Sequence, residues 1–479
     1  MQDVIIIGCG VTGAACAYTL SRYRLRVTVL EAMNDVATGT TKANSAILHA
    51  GYDPEPGTLM ARLNVEGVGL AEEICVRLDV PYKKTGSMVL AFDEKDRACL
   101  DTLLERGHKN GVPDLRLLTG EEARALEPEL SPEVSAALLA PSAAIVNPWE
   151  YALAMAETAV KNGVMLRRLC SVTAISKEAD GFTVTTTGGV FRSRFVINAA
   201  GVHAGEVHDL IASPAFAIRP AKGEYYLLDK SEGNRVSRVI FQCPSRLGKG
   251  VLVSPTVHGN LIVGPTSQPS GAEDVSVTAR GLETVRRLAS RSVPGVRFRE
   301  NIRNFAGVRA SSDRGDFILE ESAVPGFFDA AGICSPGLSA APAIARYLVD
   351  LMVERGLSLE EKLDFDNTRK RVRFHELDDE ARNALIARDP RYGRVVCRCE
   401  TVTEGEIIAC LRAPIPPASV NGVKRRVGAG MGRCQGGFCG PRVQEILARE
   451  LGLAPKEIPL EGPDSYILTG ETKRGEDWV

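Results

Sequence analysis

The sequence predicts an α/β fold in which a Rossmann-like parallel sheet carries an inserted mixed-sheet α+β domain and is followed by a small C-terminal domain. Three observations predict it. A strand, glycine turn, helix and second strand fill residues 4–31; a strand-to-helix junction of the same kind returns near residue 327 after a strand-rich stretch; and two close cysteine pairs lie beyond residue 392.

Val4, Ile5, Ile6 and Ile7 are a short β-branched run suited to a parallel strand buried on both faces. The run ends in Gly8, Cys9, Gly10, Val11, Thr12 and Gly13, a G-x-G-x-x-G turn in its required context. Gly8 permits the tight turn, Gly10 lets a pyrophosphate approach the backbone, and Gly13 lets the next helix pack close, its N-terminal amides facing the phosphates. The helix runs to about Tyr23, and a strand from Val27 to Leu30 delivers Glu31, a carboxylate placed to accept ribose hydroxyls. A lone glycine fingerprint is weak evidence; this one has both strands, the helix and the acid.

Small and hydroxylated residues follow, Gly39, Thr40, Thr41, Lys42, Ala43, Asn44 and Ser45, and then the apolar run around His49 up to Tyr52. They suit a loop against which a bulky cofactor lies, or a plain surface turn. Residues 59–126 read as helical from apolar spacings of three and four. Asn147 caps a helix with Pro148 at its first position. A meander comes next, Ser171 to Ile175, Phe182 to Thr187 and Phe195 to Ala199, with Asp180-Gly181 and Gly188-Gly189 as turns. It ends at Ala200-Gly201, where small residues again permit close approach.

From Ile218 to about Ile318 the pattern is of strands, Glu224 to Leu228, Val251 to Ser254 and Leu261 to Val263 among them, with a helix near Val277 to Ser290. Near Phe327 an apolar strand runs into Gly332, Ile333, Cys334, Ser335, Pro336, Gly337 and Leu338 and a helix from about Ala340 to Glu354. The dipole of that helix suits a second anchor for the same cofactor. Residues 360–392 are highly charged and read as a helical linker.

In the tail, Cys397-Arg398-Cys399 is followed at a distance by Cys434-Gln435-Gly436-Gly437-Phe438-Cys439. Two close thiol pairs suit a four-thiolate [2Fe-2S] centre, and four thiolates equally satisfy tetrahedral zinc. Lys424, Arg425, Arg426 and Arg433 either offset the charge of such a centre or form a solvated basic loop. Gly428 to Gly432 lacks the apolar strand that a nucleotide loop needs.

A chain of 479 residues suggests roughly three domains. A formal charge of -2 argues against broad nucleic-acid binding, and no run approaches a transmembrane span. With a strand beginning at residue 4 there is no room for a signal peptide, so the cytoplasm is the expected compartment, any membrane attachment being made through a partner. Twelve cysteines there should stay reduced, and Cys9, Cys16, Cys75, Cys99, Cys170, Cys243 and Cys410 read as packing residues.

The Gly8 to Glu31 unit, the Thr40 to Tyr52 loop, Lys222-Gly223-Glu224-Tyr225-Tyr226, Gly259-Asn260-Leu261 through Gly264-Pro265-Thr266, Gly307-Val308-Arg309 and Ser335-Pro336-Gly337-Leu338 together resemble the D-amino-acid-oxidase-like FAD oxidoreductases. Within that superfamily the chain is most similar to the A subunits of anaerobic glycerol-3-phosphate dehydrogenases, and also to L-2-hydroxyglutarate oxidases. The tail resembles bacterioferritin-associated-ferredoxin-like domains. The resemblance implies FAD at the Gly8 turn, backbone of Val172 near the adenine, and Gly332, Ile333, Gly337 and Leu338 along the isoalloxazine. Thr40, Thr41, Asn44, Ser45 and Gly201 complete the expected cofactor contacts. It implies a [2Fe-2S] cluster on Cys397, Cys399, Cys434 and Cys439. The expected domains are residues 1–216 and 326–356 for FAD, 217–325 for substrate, 357–392 as linker and 393–479 for the cluster.

An FAD enzyme that oxidises an alcohol or amine must anchor the substrate's acidic end and remove a heteroatom proton. Arg309 is the anchor candidate, because a guanidinium binds carboxylate or phosphate through two parallel hydrogen bonds; an ordinary salt bridge is the alternative. His49 is the candidate base, a satisfied loop histidine the alternative. Lys222 either contacts flavin or substrate or faces solvent, and His258 is a weaker candidate. Flavin accepts two electrons and a [2Fe-2S] cluster carries one, so the pair implies stepwise export to an electron-accepting partner subunit, a flavoprotein or iron-sulfur protein. The expected substrate is sn-glycerol 3-phosphate or a related small anionic alcohol. The alternatives are a 2-hydroxy acid or secondary amino acid, or no substrate at all, as in an electron carrier or redox sensor.

Overall fold

The computed structural model describes residues 1–244 and 250–470. Within them the chain forms two compact units, residues 1–32 with 36–369, and residues 33–35 with the tail from Lys370 onward.

Strand Gln2–Ile7 lies at the centre of the first sheet, parallel to Val27–Leu30 on one side and to Gly189–Asn198 on the other. Val4, Ile5 and Ile6 are fully buried, as their uninterrupted β-branched run requires. Met165–Arg167 adds beyond Val27–Leu30, and Phe327–Ala331 beyond Gly189–Asn198, both parallel. Ile7 pairs with Asn198, and Asn198 with Asp329. The junctions at Gly8, Ala199 and Gly332 therefore emerge at the carboxyl ends of three neighbouring strands, where sheets of this class bind their ligands. The meander strands Val172–Glu178 and Gly181–Thr186 join the first half of Gly189–Asn198 in antiparallel order. Helices Val11–Leu20, Pro148–Lys161 and Gly337–Glu354 pack together in this unit, with Leu59–Arg77 against the last.

The second sheet is mixed. Its long pair is Ile218–Leu228 with Asn301–Ser312, antiparallel, and it continues through Leu261–Gly264, Leu252–Pro255 and Val239–Gln242. Helix Ala279–Ser292 covers it, sharing one core with Val253, Val263 and Ile240. Three further strands come from earlier in the chain: Ser87–Ala91, Ala136–Ala140 and Arg116–Thr119. This corrects two readings of the sequence, that residues 59–126 are helical and that the second sheet is confined to residues 217–325. The five residues of Ser87–Ala91 are all buried, so they show no alternation, and the charged helices Leu59–Arg77 and Glu94–Lys109 on either side dominate the periodicity. A small antiparallel sheet of Ile47–Leu48, Ala144–Val146 and Tyr82–Lys84 sets the position of His49.

The expected helical linker at 357–392 is mostly not helical. Residues 359–373 carry no helix, and the helix Asp379–Arg388 comes only afterward. Long side chains explain the difference: Lys362 Nζ donates to the Ser21 carbonyl at 3.0 Å and Arg369 Nε to Glu157 at 2.7 Å, so this stretch is bound side chain by side chain. In the second unit Val395–Cys397 pairs with Val402–Thr403, and helices Glu404–Leu411, Val420–Val427 and Gly440–Leu451 close a core that includes Cys397, Ile407, Val423, Cys439 and Leu447. Among the described residues no helix is long and apolar enough to cross a membrane.

Candidate functional site

The glycine turn is built as its sequence demands. Gly8 has φ of +95°, and a Cβ on Gly13 would sit 2.0 Å from the Gly8 carbonyl oxygen, so the helix can approach the strand only without a side chain there. A Cβ on Gly10 would meet only Thr41 Oγ1, at 3.3 Å, which leaves its outer side open to a pyrophosphate. The helix Val11–Leu20 has Gly10 at its N-cap and no acid in its first turn, and the Val11 amide donates to Thr41 Oγ1 at 2.9 Å. Glu31 is buried and accepts the Cys9 amide at 2.8 Å, which fixes its carboxylate at the end of strand Val27–Leu30. The Cys170 amide donates to the Glu31 carbonyl at 2.9 Å, so Val172 begins its strand close to Glu31.

The loop at 40–45 is held across the strand Asn301–Ser312 by Thr40 Oγ1, which donates to the Val308 carbonyl at 2.6 Å. Asn44 gives its side chain to the loop itself, donating to the Thr40 and Thr41 carbonyls and accepting the Ala46 amide. Its part is to shape the loop. Ser45 Oγ lies 3.1 Å from the Tyr225 hydroxyl. Gly201, with φ of +62°, opens the turn after the meander, and Gly332, with φ of +65°, opens the late junction. There the helix Gly337–Glu354 begins at Pro336 without a side-chain cap or an early acid. Two helix N-termini with no side-chain cap from their own N-cap residue and no acid in the first turn suit an anionic dinucleotide, and the half-buried Ile333 and Leu338 form an apolar wall beside the second.

His49 is brought to that wall. Its amide donates to Ser339 Oγ at 2.7 Å, its carbonyl accepts from Asn64 at 3.0 Å, and its ring Nε2 lies 3.2 Å from Ser335 Oγ. The ring also stacks on Phe241, 5.8 Å between centroids. Arg309 is half-buried and forms no ion pair among the described residues; its two terminal nitrogens reach only the Thr266 carbonyl, at 3.4 Å each. Among the described residues no acid supplies the salt bridge that was the alternative for Arg309.

Lys222 does not face solvent: it is buried, and its Nζ donates to Asp274 at 2.8 Å and Ser276 at 3.0 Å. The lysine hydrogen bond holds the Asp274 carboxyl down to about 2. His258 lies 3.1 Å from Asn147 Nδ2, at the start of a helix, in a structural position.

One buried network escaped the sequence reading. Asp329 accepts from Asn198 Nδ2 at 2.8 Å and lies 2.7 Å from His208 Nδ1, while burial pushes its carboxyl up against the opposing pull of these partners. Asn198 Oδ1 in turn accepts the Ala200 amide at 3.4 Å, steadying the turn whose Ala199 carbonyl faces Gly8. An aspartate inside the apolar strand Phe327–Ala331 was the available signal.

In the second unit the cysteines fall into two pairs. Cys399 and Cys434 sulfurs are 3.9 Å apart, and the Cys439 thiol, with the Gly430, Glu400 and Cys399 amides, brings Cys397 down to about 6. The Phe438 and Gly436 amides similarly lower Cys434. Amides aimed at sulfur fit a thiolate cluster. Two members of the basic loop are buried instead of solvated: Arg426 binds both Asp35 oxygens at 2.8 Å and Arg425 binds Asp35 and Glu461, while Lys424 donates to Gln435 at 3.2 Å and Arg433 is exposed.

Residues 3–351 match the model of the FAD dependent oxidoreductase (DAO) family, and residues 395–449 match the BFD-like [2Fe-2S] binding domain. Glycerol 3-phosphate dehydrogenase of Caloramator mitchellensis is 46% identical over 476 residues, 99% of each chain. The structure of L-alpha-glycerophosphate oxidase from Mycoplasma pneumoniae, with FAD bound, superposes with a TM-score of 0.73 at 32% identity, covering 77% of this chain and 98% of that one. Human mitochondrial L-2-hydroxyglutarate dehydrogenase is 30% identical over 282 residues, 55% of this chain and 60% of that one. With a dinucleotide turn whose glycines are sterically enforced, a second uncapped helix facing the same sheet edge, and paired thiols in the tail, the chain belongs to the DAO family of FAD-dependent oxidoreductases and carries a BFD-like [2Fe-2S] binding domain.

Proposed function

We propose that this flavoenzyme oxidises sn-glycerol 3-phosphate, or a small anionic alcohol like it, and hands the electrons to a partner protein. The observation that carries the reading is Arg309: a half-buried guanidinium with no acidic partner among the described residues, on the strand against which the Thr40 to Ser45 loop is bonded. Such a group is left for an anion supplied by the substrate, and phosphate accepts its two parallel N–H bonds. Near-complete coverage at 46% identity by a glycerol 3-phosphate dehydrogenase supports that choice of anion.

His49 is the group that takes the hydroxyl proton, at Nε2, the nitrogen that Ser335 Oγ holds toward the 332–338 junction. Its backbone is clasped at both amide and carbonyl, and its ring is stacked on Phe241, so the imidazole meets the substrate already oriented. The half-buried Ile333 and Leu338 keep water from the reacting carbon. When bound, FAD supplies a two-electron acceptor and the [2Fe-2S] centre a one-electron carrier. Cys397, Cys399, Cys434 and Cys439 hold the cluster. Twelve cysteines and an iron-sulfur domain argue for a reducing compartment, the cytoplasm. The partner is a flavoprotein or iron-sulfur protein, and any membrane attachment is made through it.

The test is a panel of sn-glycerol 3-phosphate, L-2-hydroxyglutarate and proline mixed anaerobically with the purified holoprotein while flavin absorbance is followed. Bleaching fastest with glycerol 3-phosphate supports the reading. L-2-hydroxyglutarate in first place would assign Arg309 to a carboxylate, and no bleaching with any of them would make the protein an electron carrier.

A further inference from the structure

The four cluster thiols are not equally placed. Cys397 is 1% and Cys439 2% exposed, within the apolar core of the second unit, whereas Cys399 is exposed and Cys434 half-buried. An electron leaving the cluster therefore leaves by the Cys399 and Cys434 edge, since transfer slows steeply with distance and the opposite edge is walled by protein. On that edge stands Phe438, 87% exposed. A single exposed apolar residue is ordinary on a protein surface, and its position is what distinguishes this one. The backbone on either side of it is held, the Gly437 amide donating to the Cys434 carbonyl at 3.0 Å and the Gly440 amide to the Gly436 carbonyl at 2.7 Å, while the ring stays exposed. The turn cannot rotate to hide the ring without breaking those bonds.

The surroundings are basic. The two ligand-bearing stretches, 397–400 and 431–442, contain Arg398, Arg433 and Arg442 against the single acid Glu400. All three arginines are exposed, and Arg442 is paired with Glu445 at 2.8 Å on the first turn of the helix Gly440–Leu451. An exposed aromatic in a stretch that also carries exposed arginines has the composition that carries binding energy in interfaces, the aromatic filling a pocket and the charges steering encounter.

We propose that Phe438, with Arg398 and Arg433 beside the exposed Cys399 and Cys434, is the docking surface for an acidic electron-accepting protein. Phe438 enters an apolar pocket of that partner, and carboxylates around the pocket meet the arginines. The inference rests on the electron-export reading above and adds which face of the cluster is used and what chemistry the acceptor must present. No oxidant beyond that acceptor is required: one electron passes from the reduced cluster to one oxidised acceptor molecule per encounter.

The experiment uses the full-length holoprotein reduced chemically by about 1.5 moles of dithionite per mole of protein, which supplies the two electrons of the flavin and the one of the cluster, so that it does not depend on the organic substrate. It is mixed in a stopped-flow instrument with either of two one-electron haem probes, acidic cytochrome b5 or basic cytochrome c. The Met/His ligation of cytochrome c raises its potential, so driving force alone favours it. The expected result is faster reduction of cytochrome b5 at low ionic strength, with a rate that falls at least tenfold between about 20 and 200 mM salt, over which the screening length shrinks from about 22 to 7 Å. Phe438→Ala should lower that rate at least tenfold and weaken cytochrome b5 binding in calorimetry, while the paramagnetic resonance signal of the cluster and the reaction with ferricyanide stay unchanged. A rate with cytochrome b5 no greater than with cytochrome c, zero included, overturns the assigned charge. A Phe438→Ala protein with an intact cluster signal and an unchanged cytochrome b5 rate overturns the assigned surface. Should the alanine variant lose its cluster, Phe438→Tyr together with the salt dependence of the wild type decides: a flat salt dependence overturns the proposal. Loss of substrate bleaching with normal cytochrome b5 reduction strikes the proposed function and leaves this inference standing; a tail that holds no reducible cluster overturns both.

Discussion

Replacing Arg309 by lysine separates recognition from folding. In the protein the guanidinium contributes little to the fold, because its two bonds to the Thr266 carbonyl are 3.4 Å long and it has no ion pair among the described residues. Losing them should cost well under about 1 kcal/mol of stability, the range for weak neutral-acceptor bonds. Lysine keeps the charge but offers a point ammonium where a planar fork was, so one of two charge-assisted bonds to a phosphate is lost. A bond to a charged group is worth about 1.5–3 kcal/mol, and each 1.4 kcal/mol is tenfold, so kcat/KM for glycerol 3-phosphate should fall about tenfold to a hundredfold. The assay is anaerobic steady-state kinetics with a dye acceptor, run beside thermal unfolding of the same preparations. Unchanged kcat/KM, or a loss of activity matched by a large drop in unfolding temperature, would refute the assignment of Arg309 as the substrate's anchor.

Gly13→Ala places a methyl 2.0 Å from the Gly8 carbonyl, a contact that backbone on both sides prevents from relaxing, so the variant should be recovered with little or no flavin, read as the absorbance ratio of visible to ultraviolet bands. The Lys222 and Asp274 pair should show as an acid effect. Its carboxyl falls from 3.8 to about 2 in the folded state, so its stabilisation is complete above pH 3.8 and lost as pH falls through about 2. The urea midpoint difference between wild type and Asp274→Asn should accordingly be constant from pH 7 to pH 5 and shrink below 3.8, and a difference that grew in acid would contradict the pairing. Cys434→Ser should abolish the paramagnetic signal of the tail while glycerol 3-phosphate still bleaches the flavin at the wild-type rate. Zinc in place of iron in anaerobically purified wild type would end the electron-export reading.

What the sequence by itself determined was everything encoded in contiguous residues. The turn from Gly8 to Gly13, the acid at Glu31, the late junction from Gly332 to Leu338 and the paired thiols of the tail each state their chemistry within a few positions, because a tight turn or a close backbone approach admits almost no other residue type. His49 and Arg309 were nominated from their side-chain chemistry and their place in family-like motifs, and it took the fold to set His49 against Ser335, 286 residues away, and to show Arg309 without an acid among the described residues. Only the fold shows Lys222 bound to Asp274, 52 residues on. Strand Ser87–Ala91 was hidden for a related reason: buried on both faces, it has no alternation to read, and its neighbours Val239–Gln242 and Ala136–Ala140 are supplied by distant parts of the chain. Arg425 and Arg426 looked like surface charge, and their burial depends on Asp35, 390 and 391 residues earlier. Local steric rules are written residue by residue, whereas the partner of a charged side chain is chosen by the topology that brings strands and loops together, and only the tertiary structure decides it.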